Sequence, residues 1–209
     1  MEKLEQATKL DILLALFVAS LIGANLLGTK ITTLLGVSVS VGIFAYPISF
    51  LITDIVAEVF GKTKAKKFVL AGFISLILII ILTYISVKLP AAERYSYNNE
   101  YSIIFGASIR MIIASMVAFL LAQLHDVWIF HKLKEKTKGK FLWLRNNIST
   151  IISQFIDTTI FMFIAFYAVT PKFDVAFIFT LIIPYWLFKI AFAILDTPLV
   201  YAGIKWLKK

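Results

Sequence analysis

The sequence predicts an all-α membrane protein: one integral membrane domain over residues 1–209, with six transmembrane helices and both termini in the cytoplasm. Three observations predict it. Hydrophobic residues fill 60% of the 209 positions and mean hydropathy is +0.90, above the roughly 45–50% apolar content of a soluble domain. The apolar residues fall in long blocks, and about 20 such residues in a helix cross a bilayer. Most of the basic residues fall on alternate connections.

Six blocks qualify as spans: Ile12–Gly28, Gly42–Phe60, Phe68–Val87, Tyr101–Leu124, Ile148–Val169 and Val175–Ala202. Phe68–Val87 carries no charge. The second, fourth, fifth and sixth contain charges and are read as bundle helices with an inward polar face. Short connections leave no room for a soluble catalytic or nucleotide-binding domain. The first block follows Glu2, Glu5 and Asp11 and ends in no small-residue cleavage pattern, so it is read as a span and not as a signal peptide.

Ala15, Ala19 and Gly23 recur at four-residue spacing in the first span, as do Ala114, Ala118 and Ala122 in the fourth. Small residues so spaced let helices approach closely. The two stripes are expected to pack within the bundle, against each other, or to dock a second copy or a partner subunit. Between the first two spans, Ile31–Val41 is too short to span and too apolar for an ordinary loop. Its alternation through Val37–Ser38–Val39–Ser40–Val41 predicts a short hairpin or re-entrant segment capping the outer face. Pro47 and Pro184 lie inside the second and sixth blocks. Each removes a helix hydrogen bond and is expected to kink or break its helix, and interrupted helices in matching halves point to a transporter site. Three spans per half make an inverted repeat, aligning the first with the fourth by their stripes and the second with the fifth by Asp54 and Asp157.

Orientation follows from the basic residues. Lys3 and Lys9, then Lys62, Lys64, Lys66 and Lys67, then Lys132 to Arg145, then Lys205, Lys208 and Lys209 all fall on one side. The other side holds Lys30, Lys88, Arg94 and Lys172. Basic loops face the cytoplasm, so the net charge of +9 reports topology and anionic headgroups, with no nucleic-acid partner. The absence of cysteine excludes disulfides, thiolate zinc sites and iron–sulfur clusters. His125 and His131 are six residues apart, a poor spacing for one helical face. No metal and no cofactor are expected.

Asp157 is the most informative residue. It is a lone carboxylate in an apolar run, flanked by Gln154, Thr158 and Thr159. Ionisable groups at such depth are costly and mark substrate or ion pathways. Asp54 and Glu58 are four apart, on one helical face. At a rise of about 1.5 Å per residue, Asp54 lies ~10 Å from Gly61 and Glu58 ~4–5 Å, which leaves Glu58 near the headgroups beside Lys62 and Lys64. Arg110 lies near mid-depth in the fourth span, and Lys189 and Asp196 lie in the sixth. These charges are read either as structural ion pairs, in which losing Arg110 strands a buried carboxylate, or as a site. The acids Asp54, Asp157 and Asp196 outnumber the cations Arg110 and Lys189, so at least one carboxylate is expected to lack a cation partner. It would then take a proton or a ligand. Asn25 closes the first span on the outer side, and Asn146 and Asn147 open the fifth. Carboxylate and amide together match a heteroaromatic amide or amidine edge. Phe50, Phe155, Tyr185 and Trp186 lie near enough in sequence to stack on a ring.

Ala24–Asn25 followed by Lys30, then Tyr46–Pro47–Ile48–Ser49–Phe50–Leu51–Ile52–Thr53–Asp54 with Glu58 and Gly61, resembles the start of the queuosine precursor transporter family of the vitamin uptake transporter group. Arg110, the Leu124–Phe130 stretch, Ser153–Gln154–Phe155–Ile156–Asp157–Thr158 with Phe161, and Lys189 are similar as well. The resemblance covers nearly the whole chain. It implies import of 7-deazaguanine bases, such as the 7-cyano and 7-aminomethyl precursors of queuosine in tRNA, across the prokaryotic cell (inner) membrane. Asp157 with Gln154 would then accept the guanine edge, and Asp54 or Asp196 would neutralise an aminomethyl group. The expected site is Asp157, Gln154, Asp54, Glu58, Asn25, Arg110, Lys189, Asp196, Thr158, Asn147, Phe50 and Trp186.

Two transport readings remain at this point. One is a secondary transporter with a midplane polar site, alone or as a homodimer. The other is the substrate-binding subunit of an energy-coupling-factor importer, whose ATPase module is separate because the chain has no Gly-x-x-x-x-Gly-Lys-Ser/Thr phosphate loop. An intramembrane enzyme using Asp54 and Asp157 as a dyad is the reading of another class. It lacks an accompanying Gly-x-Gly-Asp motif, a Ser–His pair or a metal triad, so no enzyme is expected.

Overall fold

Residues 2–34, 36–138, 142–195 and 197–208 are described in a computed structural model of the chain. They form helices α1 (Glu2–Leu27), α2 (Tyr46–Phe60), α3 (Lys62–Lys88), α4 (Asn98–Lys136), α5 (Leu142–Phe166), α6 (Val175–Leu195) and α7 (Thr197–Lys208). Between α1 and α2 the chain makes a β-hairpin, β1 (Ile31–Leu34) and β2 (Val37–Ser40), and then a 3-10 turn over Val41–Phe44.

Among the described residues, Glu5–Leu27, Val41–Phe60, Thr63–Lys88 and Asn98–Ala122 are long and apolar enough to cross a membrane. Ile151–Phe166 and Val175–Ala191 are shorter apolar helical stretches. α3 shows what the outer surface is made for: Leu70, Ile74, Ile77, Leu78, Ile81 and Ile85 all stand exposed along it. A helix that is apolar all round belongs in a hydrocarbon environment. The molecule is an all-α, multi-pass membrane protein apart from its small hairpin.

The hairpin is the one the alternating valines and serines predict. Its strands are antiparallel, with Ile31 opposite Ser40 and Leu34 opposite Val37. Gly36 supplies the positive φ of 80° in the turn that side chains resist. Val39 and Ile31 pack into the core beside α6. The hairpin returns tightly to the end of α1. The Ser40 hydroxyl donates to the Gly28 carbonyl at 2.6 Å and accepts from the Gly42 N–H at 3.2 Å. A Cβ on Gly28 would stand 2.4 Å from the Ala24 carbonyl oxygen and 2.6 Å from Met111 Cε, so glycine is what lets α1, hairpin and α4 meet.

Two cores are built. One joins the hairpin to the second half of the chain, through Val39, Ile43, Met111, Ala114, Met162, Phe166, Ile178 and Ile182. The other joins α1, α2 and α3 to the C-terminal helix, through Leu13, Phe17, Ile52, Val56, Phe68 and Leu207. Each half thus lends one element to the other's core.

Two expectations change. Pro47 occupies the first turn of α2, where the missing N–H would have had no partner in any case, so it starts the helix and does not kink it. Pro184 does lie inside α6, but the sixth block divides further down, into α6 and α7. The two small-residue stripes also part company. Ala114 and Ala118 are fully buried, and α4 makes its largest helix contact with α5. Ala15 and Ala19 are exposed on α1, and a Cβ on Gly23 would meet nothing within 4 Å.

Candidate functional site

Asp157 sits nine residues before the C-terminal end of α5, about 14 Å along the helix. Lys189 sits fourteen residues after the start of α6, about 21 Å down the antiparallel neighbour. Side chains lean toward the N-terminus of their own helix. Asp157 therefore leans toward the start of α5 and Lys189 toward the start of α6, and the two close the difference in height. Lys189 Nζ reaches Asp157 Oδ2 at 2.6 Å, with the side chains only 10% and 9% exposed.

Two tyrosines complete the surroundings. Lys189 Nζ lies 5.1 Å from the ring centroid of Tyr46 and 5.8 Å from that of Tyr185, within the range where a cation is drawn to an aromatic face. Tyr46 is held from behind by Phe50, whose ring meets it edge-on at 5.1 Å. A cavity opens beside the pair, lined by Asn25 of α1, Ser40 and Gly42 at the hairpin's end, Tyr46 of α2, Met111 and Ser115 of α4, Asp157 and Phe161 of α5, and Tyr185 and Lys189 of α6. Five helices and the hairpin converge there. Its free volume is about 20 Å³, room for one or two waters and too little for any ring. A ring enters only if side chains or helices move.

Beside Asp157, Gln154 Oε1 and Thr158 Oγ1 are buried without a hydrogen-bond partner among the described residues, although Thr158 is wholly inaccessible. Leaving a buried polar atom unmet costs about 1–3 kcal/mol. Both lie within one turn of Asp157 on α5, but neither lines the cavity as it stands.

Arg110 behaves differently from the expectation. It donates from Nε to the Ile164 carbonyl at 2.5 Å and from its Nη2 to the Tyr167 carbonyl at 2.6 Å. Arg110 leans toward the start of α4, reaching the C-terminal end of α5 and not Asp157. The last carbonyls of a helix lack intrahelical partners and carry partial negative charge, and the guanidinium satisfies them. Removing Arg110 thus strands two carbonyls and no carboxylate. Asp157 is not the unpartnered acid either, because Lys189 holds it.

The other expected residues are more dispersed. Asn25 lines the cavity and anchors its amide on the Leu21 carbonyl at 2.8 Å. Asp54 and Glu58 are exposed on α2, and Asp54 lies eight residues, about 12 Å, below Tyr46. Trp186 donates to the Ile151 carbonyl at 3.2 Å and meets Phe155 edge-on, which makes it a brace between α5 and α6. Asp196 and the side chain of Asn147 lie outside the described residues. Tyr46, Ser40 and Ser115 are cavity residues that the sequence reading did not single out. The signal for Tyr46 was its position in the first turn of a helix that also carries Asp54. For the two serines there was none.

A family model described as "Putative vitamin uptake transporter" matches residues 40–203. The chain is 32% identical over 184 residues to the "Probable queuosine precursor transporter" of Bacillus subtilis (strain 168), covering 87% of this chain and 79% of that one. It is 27% identical over 135 residues to the "Queuosine precursor transporter" of Escherichia coli (strain K12), covering 65% and 58% respectively. A "Probable queuosine precursor transporter" of Haemophilus influenzae is 28% identical over 126 residues, covering 60% and 51%. No solved structure matches the chain significantly. With apolar membrane helices, a buried charged pair at their centre and a family match over most of its length, the chain belongs to the vitamin uptake transporter family, a family of transporters and not of enzymes.

Proposed function

We propose that this protein imports queuosine precursors, 7-deazaguanine bases such as the 7-cyano or 7-aminomethyl forms, across the inner membrane of a prokaryotic cell. The reading takes six spans in a three-plus-three arrangement with cytoplasmic termini, and a secondary transport cycle around the Asp157 cavity. The observation that carries it is the Asp157–Lys189 pair, buried where five helices converge in a chain whose relatives are named for this substrate. A guanine edge presents a ring N–H and an exocyclic amine, both donors. Asp157 would accept them, and the unmet oxygens of Gln154 and Thr158 would take the remaining polar groups of the ring. Tyr46, Tyr185 and Phe161 supply faces for stacking. Asn25 and Ser115 would contact the ligand from α1 and α4. Asp54, Glu58 and Asp196 are assigned to the inward path below the cavity, and Phe50 and Trp186 to bracing it.

Uptake of radiolabelled precursor into proteoliposomes holding only the purified chain, without ATP, tests this. Accumulation that unlabelled precursor competes away is the expected result. One observation favours a second reading, in which the chain is the substrate-binding subunit of an energy-coupling-factor importer. The stripe of Ala15 and Ala19 is exposed and Gly23 has open space before it, as a docking face for a partner helix would have. Uptake that appears only when an ATPase module is supplied favours this second reading.

A further inference from the structure

The ion pair at the centre of the cavity has a feature that a purely structural pair would not need. Its cation is enclosed on three sides, by the Asp157 carboxylate and by the faces of Tyr46 and Tyr185. We propose that these three groups form a seat for a protonated amine, that Lys189 is its tethered occupant in the closed protein, and that a ligand amine enters by exchanging with Lys189. The part of this concerning a 7-deazaguanine rests on the functional reading above and applies to the 7-aminomethyl form, whose ammonium would meet Asp157 in place of the guanine edge; the seat itself rests on geometry alone.

Four observations carry the exchange. First, the free volume beside the pair is about 20 Å³, so a ligand gains room only by moving something, and the Lys189 ammonium fills the most polar position. Second, breaking a buried pair without replacement is strongly destabilising, whereas trading one ammonium for another keeps Asp157 neutralised throughout. Third, Lys189 sits on a stretch of α6 that is bounded by Pro184 within the helix and by the helix end at Leu195. Proline removes the bond its N–H would make to the Thr180 carbonyl and weakens the turn before it, so α6 can hinge there while its first part stays packed through Ile178. Fourth, Gln154 Oε1 and Thr158 Oγ1, within one turn of Asp157 on α5, remain unmet outside the closed cavity. The resident lysine leaves them so, and the body of a larger ligand would reach them.

Lysine is the residue suited to this role. Its ammonium is a compact point charge on a flexible stem, whereas the guanidinium fork of arginine locks onto fixed acceptors, as Arg110 does on the carbonyls of α5.

The test begins with Lys189→Ala, which deletes the equivalent of n-propylammonium. Added n-propylammonium should raise the thermal midpoint of the purified variant by about 5 °C at saturation. Sodium at the same ionic strength and neutral n-propanol should not, and neither the parent nor Asp157→Asn/Lys189→Ala should respond to the amine. A folded Lys189→Ala variant that ignores the amine overturns the seat. If that variant does not fold, the parent decides by lysine acylation read by mass spectrometry. Lys189 should be modified far less than exposed Lys66 in the free protein, and several-fold more once 7-aminomethyl-7-deazaguanine is bound. Saturating binding, established independently by calorimetry, with Lys189 still protected overturns the exchange. No binding of the base by calorimetry contradicts the functional reading instead; the seat is then judged by producing Lys189→Ala with n-propylammonium present, where recovery of folded protein supports it and no recovery overturns it.

Discussion

Arg110 Nε on α4 donates to the Ile164 carbonyl on α5 at 2.5 Å, and the same guanidinium reaches Tyr167. This guanidinium is therefore a clasp on the C-terminal end of α5. Hydrogen bonds to a charged group contribute about 1.5–3 kcal/mol each. Arg110→Ala should lower the thermal midpoint by about 6 °C or more while leaving the affinity of solubilised protein for a precursor within about threefold. Differential scanning fluorimetry and calorimetry on the same sample check both halves. A variant as stable as the parent contradicts the clasp.

Asp157→Asn carries a different signature. It removes the base's acceptor and also strands the Lys189 ammonium in a buried position, so it should cost about 3–5 kcal/mol of stability. Asp157→Asn/Lys189→Met removes both charges and should recover most of that loss, since replacing a buried pair by neutral groups of similar size is often neutral. The thermal midpoints of parent, single and double variants decide this. A single variant no less stable than the double contradicts the pairing.

The two small-residue stripes give a contrast that needs no ligand. Ala118 is wholly buried, and Ala118→Leu forces a side chain into a filled space, with a cost of about 1–3 kcal/mol or more. Ala15 is exposed, and Ala15→Leu should leave the midpoint of the isolated chain unchanged. If Ala15→Leu nevertheless abolishes uptake in cells, the face it occupies docks a partner. If Ala118→Leu is silent, α4 does not pack as described.

Gly28→Ala tests the junction of α1, hairpin and α4. The added methyl would stand 2.4 Å from the Ala24 carbonyl oxygen, 2.6 Å from Met111 Cε and 3.2 Å from Ser40 Oγ, so the end of α1 and the Met111 side chain must shift, and the lining of the cavity with them. A stability loss of about 1–3 kcal/mol is expected, with weakened precursor binding. Unchanged stability and binding contradict the close approach.

Much of this was legible in the sequence, and the reasons are physical. A lone charge in a long apolar run has few places to go, so Asp157 read correctly as buried. The alternation of Val37 to Val41 has the period of a strand, and Gly36 marks its turn, so the hairpin was legible too. What misled was partner identity. Arg110 looked like a counter-ion because the carbonyls it holds belong to backbone, which has no signature in sequence. Lys189 and Asp157 lie 32 residues apart, and only the opposite lean of side chains on antiparallel helices brings them together. Pro47 seemed interior because the apolar block begins before the helix does. Tyr46 passed unnoticed as a site residue because one ring among so many aromatic residues carries little information until its neighbours are known.

The central claim is that the Asp157 cavity binds a 7-deazaguanine. Isothermal calorimetry of a 7-deazaguanine precursor against the purified parent and the stable Asp157→Asn/Lys189→Met variant tests it most directly. The parent should bind and the double variant should lose at least about a hundredfold in affinity, some 2.7 kcal/mol. Equal affinity in the two proteins would place the base elsewhere and contradict the account.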